Sequence, residues 1–121
     1  MLFRSDLARS PAGRVTLALL DAMRDAVVSR DAVFVLMNIP RPILPRASDT
    51  ERLLASWASH TRTPFLNLRA AYLRLPPSER DGLYSGHWTA HGSAVTARLL
   101  ADELRVVTRT NPLARGRPST D

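Results

Sequence analysis

The run A-V-F-V-L-M-N-I, residues 32–39, decides how this chain of 121 residues is read. Only Asn38 breaks its apolar character, and its β-branched and aromatic side chains do not alternate with polar ones. Such a run predicts a strand buried on both faces, as in parallel sheets with helices packed above and below. Pro40, Pro42 and Pro45 follow and stop regular structure.

Working outward, Ser10 and Pro11 mark a helix start, because a serine oxygen caps free N–H groups and proline's fixed φ suits the first turn. Leu17, Leu20, Met23, Ala26 and Val27 recur at helical spacing, which predicts an amphipathic helix over 11–29 that Asp31 ends. Beyond the prolines, Asp49 or Thr50 caps a second helix through Leu53, Leu54 and Trp57 to about Thr61. P-F-L-N-L opens a short strand at Pro64, and a one-turn helix is expected over 69–73. L-P-P-S-E-R-D-G-L-Y reads as a loop, and Thr89 caps a last helix with Val95, Leu99, Leu100 and Leu104 on one face. Residues 1–10 form an N-terminal extension, and 108–121 a polar tail expected to be disordered.

Helices alternating with strands predict an α/β fold with a parallel sheet. Two strands do not complete such a sheet. The chain is therefore expected to be part of a larger three-layer α/β/α domain, truncated at its N-terminus. An exposed strand edge would then be open to self-association.

Composition narrows the partners. All 17 basic residues are arginine, and the net charge is +6. They are dispersed, with only Arg115 and Arg117 close to a cluster, whereas phosphate binding needs grouping on one face. Nucleic acid is therefore the least favoured partner. Without cysteine there is no disulfide and no thiolate ligand or nucleophile. No His/Asp/Glu spacing predicts a metal site, and no cofactor motif is read. No apolar run approaches the roughly 18 residues of a membrane span, and residues 1–10 lack the apolar core of a secretory signal.

The stretch Y-S-G-H-W-T-A-H-G-S, residues 84–93, concentrates the chemistry. Alone, His87 is a loop histidine near a helix start. His91 is expected to face solvent, and His60 sits at a helix C-terminus, where a cation suits the dipole. Trp57 is read as core and Trp88 as packing at a sheet edge or pocket mouth. Asn38 is read first as a side chain satisfying loop backbone, although ligands of open α/β sheets bind beyond such strand ends.

Taken together, F-V-L-M-N-I-P, then a helix, T-P-F-L-N-L, and a loop into G-H-W-T-A-H-G with a final helix resemble the C-terminal half of the SGNH (GDSL-like) hydrolase and acyltransferase family. The resemblance spans about residues 11–104 and implies a flavodoxin-like sheet and an acyl-ester substrate, with no metal or cofactor. It also implies a serine nucleophile on an earlier strand, with His87 in the general-base position and Gly92 as the glycine early in the last helix. A neutral imidazole suits that role. Ser85 stands where the family has its orienting acid, and Asp81 is the nearest acid that a loop could swing in. This chain carries no Gly-Asp-Ser and no glycine or asparagine block for an oxyanion hole. It is therefore expected to be inactive alone and to need an N-terminal half. Two other functions stay open: a non-catalytic α/β binding or structural module, and an arginine-rich nucleic-acid binder.

Overall fold

A computed structural model describes residues 6–40 and 42–110. The chain is mixed α/β and mostly helical. A short helix, α1 (Asp6–Arg9), meets α2 (Pro11–Val28) at Ser10. The Ser10 hydroxyl donates to Leu7 O at 2.7 Å and accepts from Gly13 N–H at 3.0 Å, so it closes one helix and opens the next. Ser29 caps the C-terminus of α2, one residue earlier than the spacing predicts. Asp31 then turns the chain with a φ of 56°.

The apolar run does not form one long buried strand. Only β1 (Leu36–Asn38) is extended in a ladder, and all three of its residues are half-buried. After α3 (Asp49–Thr61), β2 (Phe65–Asn67) pairs with β1 in a two-stranded parallel sheet. The physical reason for the shortening is the partner. A ladder extends only as far as a neighbour's backbone groups meet it, and β2 is as short as β1.

The chain divides into two compact units, one running to Leu36 and including Arg46–Phe65, the other comprising Met37–Pro45 and the chain from Leu66. The first packs Leu20 of α2 with Trp57 and Ala58 of α3, flanked by Leu17, Phe34, Leu54 and Phe65. Trp57 meets the Phe34 ring edge-on at 6.1 Å, and its Nε1–H donates to Asp21 Oδ1 at 2.8 Å. The expected core role of Trp57 is thus met, with its polar handle satisfied. The cap of α3 is Ser48, not Asp49 or Thr50: Ser48 Oγ accepts from Glu51 N–H at 3.1 Å. S-D-T-E has the capping-box spacing, and Glu51 is buried.

The second unit is built on Leu66, Leu68, Tyr72, Leu83 and Val95. Its helices are α4 (Leu68–Leu73), α5 (Pro77–Arg80) and α6 (Ala90–Thr110). Between α5 and α6 stand β3 (Tyr84–Ser85) and β4 (His87–Trp88). Tyr72 and Thr96 share a buried hydroxyl–hydroxyl bond of 2.5 Å that ties α4 to α6. Two expectations change here. The segment read as a loop contains α5, and α6 continues past residue 107 to Thr110. Residues 1–5 and 111–121, with Arg115 and Arg117, lie outside the described residues.

Candidate functional site

The site is built around one hairpin. Tyr84 pairs with Trp88 and Ser85 with His87 in antiparallel register. Between them Gly86 has a φ of 72°, a left-handed conformation that an L side chain resists. Strand side chains alternate between faces. Tyr84 and Trp88 pack on the Leu68–Tyr72–Leu83 core, their rings stacked at 6.4 Å and 19°, with Tyr72 meeting Tyr84 edge-on at 6.2 Å. Ser85 and His87 fall on the other face and are exposed. Trp88 therefore anchors the hairpin from inside, and its buried Nε1 has no hydrogen-bond partner among the described residues.

Thr89 fixes where the hairpin ends. Its Oγ1 accepts from Gly92 N–H at 3.0 Å, as a cap should, and donates to Gly82 O at 2.6 Å. Its own N–H donates to Leu83 O at 3.0 Å. Gly92 lies so close to the Leu83 carbonyl that a Cβ would overlap it. Close approach is thus the task of Gly92, whereas a Cβ at Gly86 would meet nothing within 4 Å.

The residues singled out by sequence are placed as follows. His87 and Ser85 are cross-strand neighbours, and Asp81 is the exposed residue that ends α5. Among the described residues, no side-chain hydrogen bond or ion pair joins any two of these three. His91 is exposed, with Nε2 donating to Glu79 O at 2.7 Å, and Glu79 Oε2 accepts from Arg98 at 2.7 Å. His60 is exposed in the last turn of α3.

Asn38 serves the backbone, as its first reading expects. Its Oδ1 accepts from Leu68 N–H at 2.7 Å, and its Nδ2 donates to Asn67 Oδ1 at 3.3 Å. Asn67 in turn caps α4 by accepting from Ala70 N–H at 3.1 Å. The two asparagines clamp the carboxyl ends of the two strands. Sequence reasoning starts α4 one residue late and misses Asn67, although an asparagine before L-R-A-A-Y-L is a cap signal.

Among the described residues no group of three or more His, Cys, Asp or Glu side chains could hold a metal ion. No described helix is long and apolar enough to cross a membrane. A shallow depression over Ala101, Leu104, Arg105, Thr108 and Arg109 lies on α6 alone. It begins about 16 Å along the helix from the hairpin end, at 1.5 Å per residue. The chain matches no family model, no curated protein and no solved structure.

Proposed function

We propose that this chain is the C-terminal portion of an SGNH-like ester hydrolase or acyltransferase domain and supplies its general-base loop. The observation that carries the proposal is the hairpin: Tyr84 and Trp88 bury one face, so that His87 is presented outward just before a capped long helix. A parallel β–α–β pair precedes it, in the order the resemblance requires. On this proposal further strands complete a three-layer α/β/α sheet and bring the nucleophilic serine and the oxyanion-hole donors. His87 then takes the proton from the serine hydroxyl as its oxygen bonds to the acyl carbon, and gives that proton to the departing alcohol. Ser85 can hold the imidazole only by a neutral hydrogen bond, and loss of a triad carboxylate costs about 10⁴ in rate. The isolated chain should not hydrolyse p-nitrophenyl esters above an imidazole control.

One observation favours a non-catalytic α/β module instead: the side chain of neither Ser85 nor Asp81 is hydrogen-bonded or ion-paired to His87. One experiment separates the two. The chain is grafted after an N-terminal half of the family that supplies nucleophile and oxyanion hole. Ser85→Asp should then raise kcat by about 10²–10⁴, and His87→Ala should abolish the gain. A rate that falls with Asp81→Asn but ignores Ser85→Asp makes Asp81 the orienting acid. A folded graft whose rate is indifferent to His87→Ala ends the enzyme proposal.

A further inference from the structure

Asp81–Gly82 is the only Asp-Gly or Asn-Gly step in the chain. The pair has a chemistry of its own. Glycine carries no Cβ to shield its backbone nitrogen, so that nitrogen can approach the carboxyl carbon of the aspartate before it. Both residues are exposed, and a Cβ at Gly82 would meet nothing within 4 Å. Among the described residues the Asp81 carboxylate has no hydrogen bond or ion pair, and the Gly82 N–H has no acceptor. Neither reacting group is held in another bond.

The backbone between them keeps them apart. Closing a five-membered ring needs Cβ of Asp81 and the nitrogen of Gly82 nearly eclipsed across the Cα–C bond. The Asp81 ψ of 136° holds them far from that. Rotation about this one bond would bring them together, but both of its ends are tied. Asp81 N–H donates to Pro77 O at 2.9 Å in α5. Gly82 O accepts from Thr89 Oγ1 at 2.6 Å, and Leu83 O from Thr89 N–H at 3.0 Å. The rotation re-aims the Gly82 peptide and so requires the Thr89 bond to open.

We propose that Asp81–Gly82 is a latent isoaspartyl site gated by the Thr89–Gly82 hydrogen bond. With the gate open, the Gly82 nitrogen bonds to Asp81 Cγ, and the carboxyl hydroxyl and the amide hydrogen leave as water. The product is a succinimide. Water then adds back to the ring. Addition at Cγ restores aspartate. Addition at the main-chain carbonyl of Asp81 breaks its bond to nitrogen and leaves the chain running through the side chain. The main chain is then longer by one methylene, which shifts the Gly82 carbonyl from Thr89 and leaves the gate open. The inference uses no part of the enzyme proposal.

The test ages the chain at neutral pH and scores isoaspartate at residue 81 by electron-transfer fragmentation of its peptide. The urea-denatured chain gives the ungated rate. Folded wild type should react at least about tenfold more slowly than the denatured chain, because reaction waits on local opening. Thr89→Ala, folded by circular dichroism, should react about 5–30-fold faster than wild type, and Thr89→Ser should stay near wild type. Thr89→Val serves the same comparison if Thr89→Ala does not fold. Asp81→Glu should give no product, because its ring would be larger. The separated isoaspartyl chain should melt at a lower temperature than the unmodified one. No isoaspartate at residue 81 in the denatured chain overturns the site. Folded wild type reacting as fast as the denatured chain overturns the gate, as does a folded Thr89→Ala or Thr89→Val no faster than wild type. Equal melting of the two forms overturns the lasting opening.

Discussion

Gly92 and Gly86 look alike as letters and answer to different physics. At Gly92 the constraint is space: the Leu83 carbonyl occupies the position of a Cβ. At Gly86 the constraint is the backbone, with a φ of 72° and open room for a side chain. Inside a helix, alanine is favoured over glycine by about 1 kcal/mol. Gly92→Ala should nevertheless destabilise the chain by about 1–3 kcal/mol, because the α6 start and the Leu83 backbone must move apart. Gly86→Ala should cost about 1–2 kcal/mol from the left-handed backbone alone. Urea midpoints of the two variants provide the check. A neutral or stabilised Gly92→Ala would mean that the hairpin and α6 do not meet as closely as described. The letters carry a glycine's presence but not which of its two uses applies, since that depends on what packs above it.

At the scale of elements, helix starts were legible because their causes are local. Ser10 before a proline and Thr89 before the last helix cap as their positions predict. Ser48 was legible too, through S-D-T-E, but Asp49 and Thr50, which are also good cap residues, drew the assignment away. The 32–39 segment was misread in extent because a strand's length is set by its partner, and no local letter reports the partner. The caps make a graded prediction. Thr89→Ala removes the acceptor for Gly92 N–H and also the donor to Gly82 O, so it should cost about 1–2 kcal/mol, with Thr89→Ser retaining most of it. Ser48→Ala should cost about 1 kcal/mol. Asn38→Ala leaves the Leu68 N–H without its acceptor and should cost about 1–3 kcal/mol. Asn38→Asp keeps that acceptor and should recover part of the loss. Thermal unfolding followed by circular dichroism ranks all five variants; equal stability of Thr89→Ala and wild type would remove Thr89 as the hairpin's anchor.

At the scale of the molecule, the position of His87 was legible and its direction was not. The letters place it before a helix, but only the Tyr84–Trp88 register turns it outward. The division into two units was equally hidden, because each unit is assembled from segments distant in sequence. The two cores differ in depth. Leu68 and Tyr72 are 0% exposed and Leu83 is 1%, whereas in the first unit Leu20 and Trp57 retain 8% and 7%. Backbone amides exchange through local opening, and opening costs more where more apolar surface is sealed. At low micromolar concentration the slowest-exchanging amides should therefore lie in α4 and around Val95 and Thr96 of α6, with α2 exchanging faster. Hydrogen exchange read by mass spectrometry tests this order. An α2 as protected as α4 in dilute solution would contradict the difference in core depth.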